Sequence, residues 1–265
     1  MKIGDLVVEP VYDGVMKMPA TAFAGTTMEL WEPHRRFLDA DGRLEFALGG
    51  FLVRAPKDRL ILVDAGIGQR SGEIRSGAGF YTGGELLNSL TKLNVKPEQI
   101  TDVVFTHLHF DHIGWATQDG VMTFPNATYR CDDRDWQHFR DNERVQPILG
   151  PIAERLTNWD SSGPLCPGVD ALTAPGHTPG STILVLSSGT GRGMLLGDVI
   201  HCPVELLDDE WSGLGDLDPD LAKRTRNKLA REIEGTDVPV AAAHFPGMVF
   251  GRLLAAEGRR SWVVE

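Results

Sequence analysis

The chain has 265 residues, which is long enough for one large domain or two small domains with a well-buried core. Its formal net charge of -11 argues against a polyanionic partner, because such a surface repels nucleic acids and anionic membranes. We therefore expect a small-molecule substrate, with no nucleic acid and no membrane as a partner.

The three cysteines, Cys131, Cys166 and Cys202, form no CxxC pair, and their odd number argues against a disulfide framework. The first residues lack the apolar run of a secretory signal, and no stretch stays apolar over the roughly 18 residues that a membrane span needs. These observations together predict a cytoplasmic protein.

In chain order, the first predicted elements are strands. The apolar runs 46–53 and 60–63 are joined by a polar turn, which predicts a β-hairpin. The glycine- and serine-rich segment 66–84 is predicted to be a loop. Leucines at helical spacing then predict a helix over 85–93, and the apolar run 100–106 predicts a buried strand.

The second half alternates helices and strands. Segment 132–160 is polar with scattered apolar anchors, which predicts helix, and further strands are predicted at 182–187, 193–196 and 238–243. Between the last two strands, Asp218 is a plausible N-cap, Pro219 stands at the first helical position and Gly235 follows the end. No linker or repeat divides the chain, so we predict a single layered α/β domain over 1–265.

The histidines are concentrated in one place. The chain has 8 histidines, and His107, His109 and His112 fall within six residues that also contain Asp111. In an extended backbone His107 and His109 point the same way, and a turn after Phe110 would direct Asp111 and His112 elsewhere. Imidazole and carboxylate groups suit zinc and related transition metals, so this run predicts a metal site in a loop after a buried strand.

Three further candidate ligands lie where a predicted strand gives way to a loop. They are His177, Asp198 and His244. A lone histidine at a strand end is more often a structural residue than a ligand. Beside the first cluster, however, all three favour a site that holds two ions.

These motifs resemble those of the metallo-β-lactamase superfamily, in the same order, over about residues 46–250. The motifs are Val63-Asp64-Ala65-Gly66, Thr106-His107-x-His109-x-Asp111-His112, Gly176-His177-Thr178-x-Gly180, Gly197-Asp198 and His244. The resemblance implies an α/β fold, the αββα four-layer sandwich, with the metals at one edge.

The resemblance also implies a ligand set. His107, His109 and His177 would hold one divalent ion, Asp111, His112 and His244 the other, and Asp198 would bridge them. Zinc is the expected metal, with iron, manganese and cobalt as alternatives. Asp64 is either a residue that orients the ligands by hydrogen bonds or a turn-capping aspartate, and the sequence leaves both open.

Two residues have implied catalytic roles. The superfamily's two-metal site uses a metal-bridging hydroxide as the nucleophile, and Asp111 is the candidate to accept its proton. His201 stands where related acyl-homoserine lactonases usually have a tyrosine that hydrogen-bonds the substrate carbonyl. A histidine there could donate the same bond or protonate the leaving alkoxide, whereas its structural alternative is a single backbone hydrogen bond.

The motif style is closest to the acyl-homoserine lactonase and methyl parathion hydrolase-like group. It implies a hydrolase of small-molecule esters, with a lactone as the first choice and an organophosphate triester, aryl ester or β-lactam as alternatives. A non-catalytic metal-binding protein on the same fold is the alternative of a different class. The group also suggests a homodimer. The helical segment predicted near 132–160 is expected to cover the active site.

Overall fold

The computed structural model describes residues 1–74, 78–256 and 258–265. In chain order the strands are β1 (Lys2–Ile3), β2 (Leu6–Pro19), β3 (Arg43–Ala55), β4 (Arg59–Val63), β5 (Ser71–Ile74), β6 (Gly79–Thr82), β7 (Asp102–Val104), β8 (Thr117–Gln118), β9 (Val121–Met122), β10 (Thr128–Asp132), β11 (Leu156–Trp159), β12 (Gly163–Cys166), β13 (Val169–Thr173), β14 (Thr182–Ser188), β15 (Gly191–Leu195), β16 (Val240–Ala241), β17 (Gly251–Ala256) and β18 (Arg259–Val264).

The α-helices are mostly short. They are α1 (Met28–Trp31), α2 (Leu86–Lys92), α3 (Phe110–Ile113), α4 (Asp133–Phe139), α5 (Gln146–Leu149), α6 (Val204–Leu207) and α7 (Pro219–Ile233). Short segments of 3-10 helix lie at Ala20–Ala22, Glu32–Phe37, Pro97–Gln99, Gly150–Arg155, Gly197–Val199 and Pro246–Met248.

The strands form two large sheets. The first has the order β11-β10-β7-β4-β3-β2-β6-β5, with β1 paired to β2, and the second runs from β12 to β18 in sequence order. Parallel pairs join β4, β7, β10 and β11 in the first sheet and β15 to β16 in the second. The carboxyl ends of these parallel strands are where an open α/β sheet builds its sites.

Alternation along the strands defines the layers, because successive side chains point to opposite faces. Val53, Ile61 and Val104 of the first sheet pack with Leu184 and Leu195 of the second to form the core between the sheets.

The outer faces of the sheets are covered by helices. Leu62 and Val103 face outward and pack against α2, whereas Val185 and Met194 of the second sheet pack against α7. The αββα sandwich is thereby confirmed.

Several predicted elements are confirmed. The hairpin of β3 and β4, helix α2 and the strand at 182–187 lie where the patterns placed them. Helix α7 begins after Asp218, whose carboxylate accepts the Leu221 N–H at 3.0 Å.

Other predictions were wrong in part. The loop predicted over 66–84 contains the antiparallel pair β5 and β6, and 75–77 lie outside the described residues. Segment 132–160 contains α4, α5 and a 3-10 turn but ends in β11, which pairs with β10. The strands predicted at 100–106 and 238–243 shorten to β7 and β16. In each case the extent of hydrogen-bond pairing with a neighbouring strand sets the bounds, which local composition does not report.

Candidate metal centre

The histidine run is positioned by the end of β7 and the start of α3. His109 has extended backbone angles (φ -67°, ψ 153°) and directly precedes the helix. The chain is therefore extended from His107 to His109 and then turns, so that Asp111 and His112 leave the loop in a different direction. The predicted turn after Phe110 is this short helix.

A first group of side chains converges beside this loop. His109 Nδ1 lies 3.1 Å from His107 Nε2 and 2.9 Å from His177 Nε2. Asp198 Oδ2 is 3.6 Å from His107 Nε2 and 3.5 Å from His177 Nε2. Nitrogen ligands about 2.0–2.1 Å from a tetrahedral ion would stand roughly 3.3 Å apart, so this group is close to the spacing that one ion requires.

A second group adjoins the first. It consists of Asp111, His112 and His244, with His244 Nε2 lying 3.5 Å from Asp111 Oδ2. Asp198 also reaches this group, because Oδ1 is 3.2 Å from His112 Nε2 and Oδ2 is 3.2 Å from His244 Nε2. One buried carboxylate thus stands between two sets of donor atoms.

The outward nitrogen of several imidazoles has its own partner. Nδ1 of His112 faces Asp64 at 3.0 Å, Nδ1 of His177 faces Asp216 at 3.1 Å, and Nδ1 of His244 faces the Ala47 carbonyl at 2.9 Å. These partners fix the rings with Nε2 turned towards the centre, as is usual for histidines that bind metals.

Asp64 combines the two roles that the sequence left open. Its backbone is left-handed at φ 59°, so it does shape a turn. Its carboxylate also accepts the Thr106 N–H and hydroxyl, both at 2.8 Å, and faces His112 Nδ1. The residue therefore ties the end of β4 to the histidine loop.

The donor set fits two divalent cations. Among the described residues, the buried atoms His112 Nε2, His244 Nε2 and Asp198 Oδ1 have no hydrogen-bond partner in the protein. Buried polar atoms are normally satisfied, so three such atoms in one place indicate a ligand that completes the site. Imidazole nitrogen with carboxylate oxygen is a donor set for zinc and neighbouring transition metals.

The electrostatics of the first group agree with this donor set. Burial and the neighbouring His177 lower the pKa of His109 to about 4, and burial also holds the pKa of His107 well below its usual value. Both rings are therefore neutral at pH 7 and keep a free lone pair. Burial raises the pKa of Asp198, but the surrounding histidines outweigh it and keep the carboxylate ionised.

His201 also lies at the cluster. Its Nε2 is 3.4 Å from Asp198 Oδ2, and its ring is stacked parallel to that of His244 at 5.8 Å between centroids. Burial lowers its pKa, but Asp198 and Glu205 outweigh this and raise the pKa of His201 to about 10.

Four buried residues around the site were not singled out from the sequence. Asp135 of α4 accepts the N–H groups of Leu108 and Gly180 and the Thr178 hydroxyl, and so joins two ligand-bearing loops. The others are Asp216, Glu205 and Arg226, which lie behind His177 and His201. None of the four stands in a recognised motif, and only the glycine-rich loop around Asp216 is a sequence signal.

Comparison with known families identifies the fold's relatives. The family model described as the metallo-beta-lactamase superfamily matches residues 50–244. The chain belongs to this superfamily.

Within the described residues, no helix is both long and apolar enough to cross a membrane.

The superfamily members most similar in sequence include lactonases. An N-acyl homoserine lactonase of Bacillus thuringiensis is 25% identical over 155 residues, which cover 58% of this chain and 59% of that protein. The match therefore spans less than two thirds of the curated relative. Metallo-beta-lactamase domain-containing protein 1 of Xenopus laevis is 25% identical over 190 residues, covering 69% of this chain and 72% of that protein.

Solved structures of superfamily members match over nearly the whole chain. AidC, described as a dizinc quorum-quenching lactonase in complex with a product, is similar with a TM-score of 0.87 and 27% identity, covering 100% of this chain and 96% of that chain. The hydrolase AbOPH has a TM-score of 0.87 at 24% identity, covering 99% and 95%, and at that identity it supports the fold alone.

Proposed function

We propose that this protein is a two-metal hydrolase that opens lactone rings, with N-acyl homoserine lactones as the first substrate class to test. The observation that carries the proposal is the position of Asp198 between two groups of buried donor atoms. The similarity to a dizinc lactonase along the whole chain supports the choice of lactones.

The ligand assignment follows the two groups. His107, His109 and His177 would hold one ion, Asp111, His112 and His244 the other, and Asp198 would contact both. Ions in such a site supply Lewis acidity, which acidifies a water and polarises the substrate carbonyl. Zinc is the metal we propose, because of the donor set and the dizinc relative.

Two side chains of this chain would handle protons. Hydrolysis of a lactone consumes one water, breaks the acyl C–O bond and leaves an alkoxide that needs a proton. Asp111 is the more exposed of the two cluster carboxylates, at 8% against 5% for Asp198, and this supports the proposal that it accepts a proton from the water. His201 Nε2 lies 3.4 Å from Asp198 Oδ2, and this supports the proposal that His201 donates to the substrate carbonyl or the alkoxide.

The surface beside the ligands is apolar. Phe110, between the ligand residues, is 39% exposed and packs edge-on against Tyr81 with ring centroids 6.1 Å apart. Phe139 of α4 contacts His109 at 5.5 Å between ring centroids. We infer that Phe110 contacts the acyl part of the substrate and that segment 132–160 of this single domain covers one side of the site.

The test is metal analysis followed by a substrate panel. Elemental analysis should find about two transition-metal ions per chain, and metal-free purified protein would contradict the scheme. The panel contains N-acyl homoserine lactones, γ-lactones, aryl esters, phosphotriesters and a chromogenic cephalosporin. If a compound other than a lactone is turned over fastest, its class replaces lactones as the proposed substrate. If no compound is turned over although two ions are bound, the non-catalytic alternative is favoured.

Replacing His201 tests its proposed role. His201→Ala should lower kcat on the best substrate about 10²–10⁴-fold while two ions stay bound, because a general acid contributes about that much. His34→Ala is the matched control, since His34 packs against Trp211 and lies outside the cluster. An unchanged kcat in His201→Ala would show that the residue is structural.

Two further expectations stay predictions. Size-exclusion chromatography with light scattering tests the homodimer, and fractionation of the source cells tests the cytoplasmic location.

A further inference from the structure

A buried arginine contacts two carboxylates that in turn contact His177 and His201. Arg226 lies on α7 with 1% of its surface exposed. Its Nη1 is 3.5 Å from Glu205 Oε1 and 3.7 Å from Asp216 Oδ2. A buried guanidinium is costly unless it is paired, and this one has two buried carboxylates as partners.

Each of those carboxylates holds a histidine of the site with its other oxygen. Asp216 Oδ1 faces Nδ1 of His177 at 3.1 Å. Glu205 Oε2 accepts the backbone N–H of His201 at 2.6 Å and that of Cys202 at 2.9 Å. Since both histidines approach Asp198, the contacts form a closed ring through Arg226.

The backbone around the arginine is built closely against it. A Cβ added to Gly213 would lie 2.3 Å from Asp216 Oδ2 and 2.8 Å from Arg226 Nη1, so a side chain there would displace this ion pair. Arg226 Nη2 also donates to the Trp211 carbonyl at 3.3 Å. At the other end of this loop, Leu217 N–H donates to the His177 carbonyl at 3.1 Å. The loop from Trp211 to Leu217 is therefore hydrogen-bonded to both Arg226 and His177.

We propose that Arg226 is a positioning residue that sets the orientation of His177 through Asp216 and of His201 through Glu205. The inference rests on the proposed two-metal hydrolase. Without the guanidinium, two buried carboxylates would lose their shared counter-charge and would either move or take up protons. Nη1 approaches both carboxylates while Nη2 donates to the Trp211 carbonyl, and a lysine ammonium has only one nitrogen for these contacts.

The first test measures metal retention and kinetics in Arg226→Met. Loss of a group that orients a ligand typically weakens metal binding or activity about 10–100-fold. We expect the variant to release one of its two ions to a chelator about 10–100-fold faster, and its kcat to fall while KM changes little. Arg226→Lys should recover only part of both effects, and Arg224→Met, on the exposed side of α7, should match the wild type.

Isosteric variants test the contact through Asp216 and the contact through Glu205 separately. They also replace the first test if Arg226→Met does not fold. Asp216→Asn should accelerate metal release, because His177 loses its charged partner. Glu205→Gln should lower kcat with less effect on metal release than Asp216→Asn, because Glu205 contacts His201 directly and reaches His177 only through Arg226. If both variants match the wild type in metal release and kcat, the proposal is wrong.

Metal analysis of the wild-type protein distinguishes failure of the proposed function from failure of the positioning role. A wild-type protein that binds no transition metal would refute the proposed function itself. A wild-type protein with two ions, together with Arg226 and Asp216 variants that release metal at the wild-type rate, would refute the positioning role alone.

Discussion

Asp64 illustrates how a single residue serves both the fold and the site. Its left-handed backbone (φ 59°) ends β4 in a sharp turn, a conformation that aspartate tolerates better than most residues. Its two carboxylate oxygens face three groups, the N–H and hydroxyl of Thr106 and Nδ1 of His112. A carboxylate accepts from all three at once, and no neutral side chain of the same shape does so.

We predict that Asp64→Asn weakens metal binding without unfolding the protein. The amide would turn an NH2 group towards either Thr106 or Nδ1 of His112, and two donors would then face each other. A loss of metal affinity of about 10–100-fold is expected, as for other residues that orient ligands. Competition with a chromogenic chelator measures it. Asp58→Asn removes the same charge at an exposed turn residue that is also left-handed (φ 56°), and equal affinities in the two variants would contradict the prediction.

At the scale of the elements, Asp102 joins the three strands that lead to the site. It starts β7 and pairs with Ile61 of β4 on one side and Thr128 of β10 on the other. Arg59 and Arg130 are two residues from these partners and therefore on the same face. Both donate to the Asp102 carboxylate, at 2.9–3.1 Å. Since the histidine loop follows β7 directly, this contact fixes the strand from which the loop begins.

We predict that Asp102→Asn destabilises the fold by about 1.5–3 kcal/mol at pH 7, the value of a hydrogen bond to a charged group. Burial raises the pKa of Asp102, but the hydrogen bonds from Arg59, Thr101 and Arg130 outweigh it and hold the pKa below its usual value. The contribution is therefore complete above the unfolded-state pKa and disappears as the pH falls through the folded-state pKa.

Urea unfolding of chelator-treated protein from pH 7 towards pH 3 measures this dependence. The difference between wild type and Asp102→Asn should shrink on acidification, and Asp119→Asn, at an exposed position, should show no difference at any pH. A difference that is constant with pH would mean that packing, and not the charge, accounts for the loss.

Some strands could be predicted from the sequence and others could not. Strands β3, β4 and β14 carry enough apolar alternation to be predicted, since their own side chains fill the core. Strands β5, β6 and β11 do not, because they lie at or near the edges of the first sheet and depend on hydrogen bonds to a neighbour. Edge strands need little burial, so local composition does not distinguish them from loops.

At the scale of the whole molecule, the candidate site joins the two sheets. His107, His109 and His112 follow β7 of the first sheet, whereas His177 and Asp198 follow β13 and β15 of the second. The motifs predicted these residues because each has a fixed spacing along the chain. The ring through Arg226 was not predictable, since its contacts join residues 177, 201, 205, 216 and 226 across three loops and two helices.

Because its candidate ligands come from both sheets, bound metal should stabilise the entire sandwich. A ligand that binds only the folded state adds about 2.7 kcal/mol when its free concentration is 100 times Kd. For a chain of this size, about 1 kcal/mol shifts Tm by roughly 2–4 °C. Removing the metal should therefore lower Tm by about 5–10 °C or more, and calorimetry before and after chelation, with metal content measured on the same samples, provides the comparison. In Asp198→Ala, which removes the carboxylate that approaches both groups, the chelator should leave Tm unchanged. A wild-type Tm that stays the same after complete metal loss would mean that the sheets are held together without the ions, and that the site contributes to chemistry alone.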